Sequence, residues 1–153
     1  MQTDHIRLAN QLCFSVYNTS RLFTKFYQRA LSDFGLTYSQ YLVLMALWEE
    51  DGQTLHQIGD ALYLESNTLT PLLRRMEDAG WLTREKSTHD RRQLTVHLTA
   101  EGQKSQGPIQ QAIAECIGKE HLDIDQYNDT QETISQLEMA LRTLLTDESK
   151  MEE

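Results

Sequence analysis

Residues 54–98 read TLHQIGDALYLESNTLTPLLRRMEDAGWLTREKSTHDRRQLTVHL, and this stretch decides the fold. Thr54 is suited to cap a short helix, and a second helix is expected to begin near Ser66 and to end at Gly80. From Trp81 onward, apolar and polar residues alternate on both sides of the polar turn THDRR, which is typical of two paired strands. The stretch therefore predicts two short helices joined by a tight turn and followed at once by a β-hairpin.

Further helices are predicted before this stretch. Apolar residues recur at helical spacing from Leu8 to Phe34 without an intervening Pro or Gly, which favours one continuous helix. The next helix, capped by Thr37 or Ser39, is apolar nearly all round and ends in the turn at 49–52. We therefore expect this next helix to be buried.

Helical sequence also follows the hairpin. It resumes after Thr99, is interrupted around Gly107–Pro108, and ends in a helix at about 125–145, with frayed residues after Thr146. The last helix presents one apolar stripe, formed by Ile134, Leu137, Leu141 and Leu144. The predicted fold class is mainly α with a small amount of β structure (α+β).

Length and composition favour a single domain, residues 1–153. The chain is 39% apolar and 24% charged and has no low-complexity segment, so it is expected to fold around one core. No apolar run reaches the roughly 18 to 20 residues that span a bilayer, and the N-terminus lacks a signal-peptide pattern. The two cysteines are too few for a disulfide scaffold. We therefore expect a cytoplasmic protein with reduced thiols and no membrane partner.

Positive charge is concentrated in one segment. Between Arg74 and Arg92, six basic side chains outnumber four acidic ones, whereas the whole chain has a formal net charge of -9. A basic segment in an acidic protein lets one face approach phosphate while the rest repels it. Two short helices followed by a basic hairpin are the arrangement that places the second helix in a major groove and the hairpin on flanking DNA. Residues 37–98 are accordingly interpreted as a winged helix-turn-helix.

Individual side chains of this segment suit DNA contacts. The first turns of the second helix offer short polar groups that can reach base edges, and the arginines that follow can reach phosphates. In the hairpin turn, Asp90 could hold Arg92 by a charge-assisted bond and direct it into a minor groove, leaving Arg91 for the backbone. Any one of these arginines alone is as often an ordinary solvated charge, but their joint placement favours DNA. The predicted DNA-binding residues are Ser66, Asn67, Thr68, Thr70, Pro71, Arg74, Arg75, Lys86, Asp90, Arg91 and Arg92.

A family resemblance that covers roughly Leu8 to Gly102 rests on two segments, LTYSQYLVLMALWEEDGQTLHQIGDALYLESNTLTPLLRRMEDAGWLTREKSTHDRRQLTVHLTAEG and NQLCFSVY. They resemble the MarR family of winged-helix repressors, and within it the organic-hydroperoxide-responsive (OhrR-like) branch. The resemblance implies a homodimer built from helices in 8–34 and 100–146, a pseudo-palindromic operator in double-stranded DNA, and repression relieved by a chemical signal. Glu65 and Asn67 stand where the branch usually has Asp and Gly, which bears on operator preference.

Cys13 is the candidate sensor. It lies near the start of the first predicted helix, where the helix dipole favours a thiolate, and Tyr17 follows one turn later on the same face. Without further context, a small cysteine buried between helices would be the commoner interpretation. The resemblance implies instead that Cys13 reacts with an organic hydroperoxide and that Tyr17, Tyr27 and Tyr38 surround it, some of them from the partner subunit.

The role of Cys116 stays open at this stage. In a two-cysteine subclass of the branch it resembles, a second cysteine in a comparable region resolves the oxidised one as an intersubunit disulfide. An incidental helix cysteine is as frequent, and if Cys116 cannot reach Cys13, a low-molecular-weight thiol would form a mixed disulfide instead.

Three functions other than a peroxide-sensing repressor would each require a different sequence feature. A cysteine peroxidase would need a thioredoxin-like pattern or a CxxC motif, and neither is present, so we expect no enzyme. A metal sensor would need clustered ligands, but the five histidines are scattered, so we expect neither a metal nor another cofactor. A regulator released by a phenolic or other small ligand in the dimer cleft, with Cys13 merely structural, is the main alternative.

Overall fold

The structure of the chain is a computed structural model that describes residues 7–8, 11–117 and 123–149. Its elements, in chain order, are α1 (Leu12–Ala30), a 3-10 turn (Ser32–Phe34), α2 (Tyr38–Glu49), β1 (Gln53–Thr54), α3 (Leu55–Leu62), α4 (Ser66–Asp78), β2 (Leu82–Lys86), β3 (Leu94–Leu98), α5 (Ala100–Lys104), α6 (Gln106–Ile117) and α7 (Ile124–Ser149). The chain divides into two units, residues 1–114 and 115–153.

Two helices begin at reciprocal caps that the sequence predicts. The Thr37 hydroxyl accepts the backbone N–H of Gln40 at 3.3 Å, and the Gln40 side chain accepts the backbone N–H of Thr37 at 2.9 Å. Thr54 and Gln57 form the same capping box at the start of α3, with distances of 3.2 and 2.8 Å. Thr37, rather than Ser39, is therefore the cap of α2, and both caps satisfy N–H groups that a helix start leaves without partners.

One hydrophobic cluster holds the first unit together. The prediction that α2 is buried is confirmed, since Val43, Leu44 and Leu47 are almost fully enclosed. Ile58 of α3 belongs to the same cluster. The inner face of α4 completes it, and its fully or nearly buried residues are Leu69, Leu72, Leu73 and Met76. Burial of this face fixes which side of α4 remains open to solvent.

The sheet has three antiparallel strands in the order β1-β3-β2. The predicted hairpin is confirmed, with β2 and β3 in a register that runs from Leu82 opposite Leu98 to Lys86 opposite Leu94. The sequence did not predict β1, whose two residues pair with β3 through Gln53 opposite Val96 and Thr54 opposite Thr95. This strand anchors the start of α3 to the base of the hairpin.

The first helix is shorter than predicted. Instead of one helix over 8–34, α1 ends at Ala30, a 3-10 turn follows, and Gly35 adopts a left-handed φ of 64°. The physical reason is burial, because the chain turns at Leu31 so that both Leu31 and Leu36 enter the core. Apolar spacing alone does not reveal this turn, since Leu31 fits the helical pattern as well.

The predicted break at Gly107–Pro108 is also misplaced. It lies at Ser105, and both predicted breakers belong to the first turn of α6. Pro108 is tolerated there because N–H groups in the first turn have no helical acceptor. Ser105 hydrogen-bonds instead to the carbonyl of Glu101 at 2.7 Å.

The second unit contains the whole of α7, which begins at Ile124 and runs to Ser149, beyond the predicted end at 145. Of the predicted stripe, Ile134, Leu141 and Leu144 are exposed and Leu137 is half-buried in the single protomer. None of the described helices combines the length and apolar character that a bilayer crossing requires.

Candidate nucleic-acid interface and cysteine sites

Helix α4 has one buried face and one open face. All seven of its predicted DNA-binding residues are exposed, and they are Ser66, Asn67, Thr68, Thr70, Pro71, Arg74 and Arg75. The helix begins at Ser66, as expected, but Pro71 is its sixth residue rather than part of the first turn. Pro71 therefore cannot donate a backbone hydrogen bond to the carbonyl of Asn67, although the helix continues through it.

A tight turn sets the direction of α4. Tyr63 ends α3 in the left-handed region, with φ of 54°, and the N–H of Leu64 donates to the carbonyl of Gly59 at 2.9 Å. A Cβ at Gly59 would lie 2.8 Å from the carbonyl oxygen of Leu64, so the close approach requires glycine. The turn places the start of α4 at an exposed edge of the first unit.

The hairpin turn is ordered by its own backbone and by one carboxylate. The N–H of Ser87 donates to Gln93 at 2.8 Å, and the N–H of Gln93 donates to Asp90 at 2.9 Å. The expected bond from Asp90 to the guanidinium of Arg92 is not what holds this turn, because Asp90 Oδ1 accepts the backbone N–H of Arg92 at 2.9 Å. This bond closes the turn locally, between a side chain and the backbone two residues on. Lys86, Asp90, Arg91 and Arg92 are all exposed.

Arg84 differs from the other bases of this segment because it is paired. Its Nη2 lies 2.8 Å and its Nε 3.0 Å from Oε2 of Glu77, while its backbone N–H donates to Oε1 at 2.9 Å. The side-chain hydrogen bond from Arg84 lowers the pKa of Glu77, and the backbone bond and the charges of Arg84 and Arg74 add to this effect. Arg84 was counted among the six basic side chains of this segment, and its pairing with Glu77 was not predicted from the sequence.

Cys13 is the second residue of α1 and is exposed, as is Tyr17 one turn later. The guanidinium carbon of Arg21 lies 5.7 Å from the centre of the Tyr17 ring, within range of a cation–π contact. Cys13, Tyr17 and Arg21 thus lie at successive helical turns along one face of α1.

Tyr27 and Tyr38 form a separate aromatic cluster. Their rings stack at 4.3 Å, and the ring of Tyr41 lies 5.6 Å from that of Tyr27. Burial, and secondarily the charge of Tyr38, raises the pKa of Tyr41. Tyr27 follows Cys13 by fourteen residues on the same helix, a separation of about 21 Å at 1.5 Å per residue. A single protomer therefore does not bring Cys13 together with Tyr27 and Tyr38.

Cys116 lies near the end of α6, in the second unit, and its side chain is exposed. Both cysteines are free thiols. Within the described ranges, no group of three His, Cys, Asp or Glu side chains is placed to hold a metal ion.

Helices α3 and α4 form a helix-turn-helix, and the β2–β3 hairpin that follows, residues 82–98, is the wing. Together with the open face of α4 they define a winged-helix DNA-binding fold. The MarR family model matches residues 36–94. The chain belongs to the MarR family, as its sequence relatives also show. The organic hydroperoxide resistance transcriptional regulator of Bacillus subtilis (strain 168) is 48% identical over 99 residues, which cover 65% of this chain and 67% of that protein.

AbfR of Staphylococcus epidermidis is similar over nearly the whole chain. The structure of reduced AbfR bound to DNA superposes with a TM-score of 0.85 at 49% identity, covering 95% of this chain and 99% of AbfR. Overoxidised AbfR bound to DNA gives 0.81 at 49% identity, covering 94% and 99%. Disulfide-formed AbfR gives 0.65 at 50% identity, covering 93% and 94%. The predicted winged-helix fold and the predicted family are thereby confirmed.

Proposed function

We propose that this protein is a transcriptional repressor that binds a pseudo-palindromic operator as a homodimer and leaves it when an organic hydroperoxide oxidises Cys13. The observation that carries the DNA-binding part is the structure of α4, whose buried apolar face leaves Ser66, Asn67, Thr68 and Thr70 exposed next to the wing. Short polar groups at the start of such a helix reach base edges, and Arg74 and Arg75 reach the flanking phosphates.

We propose that the protein dimerises because most of α1 is exposed in the single protomer. Of its nineteen residues, only Ala30 is buried in the single protomer. Exposed apolar or aromatic side chains on this helix include Leu12, Phe14, Val16, Tyr17, Leu22 and Phe23. An apolar surface of this extent on a single element marks a protein interface. We therefore assign 8–34 and 100–146 to dimerisation and 37–98 to DNA binding.

The same dimer would complete the sensor. Because Cys13 and Tyr27 of one helix are about 21 Å apart, Tyr27 and Tyr38 can approach a Cys13 thiol only if they come from the other protomer. Ionisation alone does not explain fast sensing, since an ordinary thiol is about 3% ionised at pH 7 and full ionisation gains only about thirtyfold. Tyrosine hydroxyls that hold the peroxide next to sulfur would contribute the remaining acceleration.

The chemistry requires two steps. The Cys13 thiolate attacks the peroxide, its sulfur gains one oxygen to give a sulfenic acid, and the alcohol leaves. The thiol of Cys116 then displaces water from that sulfur, so that a disulfide forms. AbfR supports this order, because overoxidised AbfR is seen bound to DNA and AbfR also exists in a disulfide form. We accordingly propose that the disulfide, rather than oxidation alone, releases the operator.

The test uses a labelled DNA duplex that the reduced protein selects from a random pool, with binding followed by fluorescence anisotropy. Cumene hydroperoxide is expected to release the wild-type protein, while Cys13→Ser binds equally well and is not released. Cys116→Ser is expected to oxidise at Cys13, as read by intact mass, yet to stay bound until a low-molecular-weight thiol is added. Release of Cys13→Ser by the peroxide would contradict the proposal. A small phenolic ligand that releases both Cys13→Ser and wild type would instead support sensing in the dimer cleft.

A further inference from the structure

Glu77 and Arg84 connect the recognition helix to the wing. Glu77 lies in the last turn of α4, and Arg84 is the central residue of β2. Both oxygens of the Glu77 carboxylate are used, one by the backbone N–H of Arg84 and the other by its Nε and Nη2. The side chains are largely shielded, with 18% of Arg84 and 32% of Glu77 exposed.

This contact lies between the buried base of the hairpin and its exposed end. Leu82, at the start of β2, is buried in the core, whereas Glu85, Lys86 and residues 88–93 are exposed. Arg84 stands opposite Val96 in the hairpin register, and Val96 is fully buried. The turn from α4 into β2 contains Gly80, with φ of 83°, a residue type whose backbone is conformationally permissive. The direction of the exposed wing therefore depends on what fixes β2 beyond this turn.

A bidentate ion pair is better suited to fixing the direction of the wing than to raising the free energy of unfolding. Partly exposed ion pairs contribute about 0 to 1 kcal/mol to folding, but paired N–H···O bonds fix direction as well as distance. The backbone bond from Arg84 adds a third constraint, which ties the strand itself, not only its side chain, to α4. The pKa of Glu77 is lowered, chiefly by the side-chain hydrogen bond from Arg84, so the pair persists further into the acid range than an ordinary glutamate would allow.

We propose that Glu77 and Arg84 are positioning residues that hold the wing at the angle at which α4 and the turn at 87–93 contact DNA at the same time. The inference rests on the DNA-binding part of the proposed function and is independent of Cys13. Loss of the pair would uncouple the wing from the recognition helix, so contacts to the DNA flanks would weaken while contacts at the α4 half-sites remain.

The test compares variants on the selected duplex and on versions of it trimmed stepwise from both ends. Wild-type affinity is expected to fall roughly tenfold or more when the flanks are removed, as for loss of other specific DNA contacts. Glu77→Gln is expected to bind the long duplex roughly tenfold more weakly than wild type and to change little on trimming. On the shortest duplex the two proteins should bind about equally.

Glu85→Gln is the matched control, because Glu85 is exposed on the same strand and the variant changes the net charge equally. It should retain the full response to trimming. Arg84→Lys keeps the charge but loses the planar guanidinium, so its loss of affinity on trimming should lie between those of wild type and Glu77→Gln. This variant replaces Glu77→Gln in the test if circular dichroism shows that Glu77→Gln is unfolded.

The two outcomes that contradict the inference are a Glu77→Gln protein that responds to trimming like wild type and one that loses affinity equally on every duplex. If Glu77→Gln does not fold, a full trimming response in Arg84→Lys contradicts it equally. Failure of the reduced wild-type protein to select any duplex would instead contradict the proposed function itself.

Discussion

Gly102, in α5, contacts both α2 and the residues that flank the hairpin. Its carbonyl accepts the indole N–H of Trp48 at 3.0 Å, and its N–H donates to the hydroxyl of Thr99 at 3.1 Å. A Cβ at this position would overlap the carbonyl oxygen of Trp81 and would lie 3.2 Å from a methyl carbon of Leu98. The residue is buried, so no side chain can be accommodated without moving α5 away from the sheet.

We expect Gly102→Ala to lower the free energy of unfolding by about 1 to 3 kcal/mol, as overpacking does in other cores. Gly107→Ala is the matched control, because Gly107 lies in α6 and a Cβ there would meet nothing within 4 Å. That control should be neutral or should stabilise by up to about 1 kcal/mol through helix propensity. Urea unfolding measures the free energy of unfolding of both variants. An equal change in the two would contradict the close contact between Gly102 and the carbonyl of Trp81.

Site residues differ in how far the sequence could predict them. The exposed polar residues of α4 were predictable because the apolar spacing of Leu69, Leu72 and Met76 fixes the opposite face. The Glu77 and Arg84 pair was not, since its contact depends on the angle of the turn between α4 and β2. For Asp90 the expected bond was to the guanidinium of Arg92, but its Oδ1 accepts the backbone N–H of that residue. The sequence does not distinguish the two, because a carboxylate can accept from either group.

Among helices and strands, the boundaries that the sequence predicted correctly are those that depend on neighbouring residues in the chain. The caps at Thr37 and Thr54 were predictable because each needs only a partner three residues ahead. The end of α1 and strand β1 were not, because Leu31 turns inward and Gln53 pairs with Val96 only in the presence of a completed core. Boundaries that depend on distant neighbours carry no local sequence signal.

Helix α4 supports a prediction about charge. If Arg74 contacts phosphate, Arg74→Ala removes two contacts per dimer, so the slope of log affinity against log salt should become shallower by about 2. Arg142→Ala makes the same charge change on α7, where Arg142 pairs with Glu138 at 2.6 Å, and should leave the slope unchanged. Anisotropy titrations between 50 and 200 mM salt measure both slopes. An unchanged slope for Arg74→Ala would place this arginine away from the DNA backbone.

For the whole molecule, the proposed function requires a dimer in which the DNA-binding surfaces of the two protomers have a set spacing. Moving a repressor from almost fully bound to almost fully free needs about 5.5 kcal/mol of differential binding between the two states. A dimer can meet this requirement, because a small change at the interface alters the spacing of two DNA-binding surfaces at once. In the proposed mechanism the exposed apolar side chains of α1 form part of this interface.

Phe23 tests that role. Its ring is 44% exposed in the single protomer and lies in one stripe with Leu12 and Val16, so Phe23→Glu should leave the core intact while placing an unpaired carboxylate in the interface. We expect the dimer dissociation constant to rise at least about a hundredfold and operator affinity to fall with it. Asn18→Glu adds the same charge about 140° around the helix and should have a smaller effect. Sedimentation equilibrium measures the dimer, and a Phe23→Glu protein that stays dimeric with normal operator affinity would exclude this stripe of α1 from the interface.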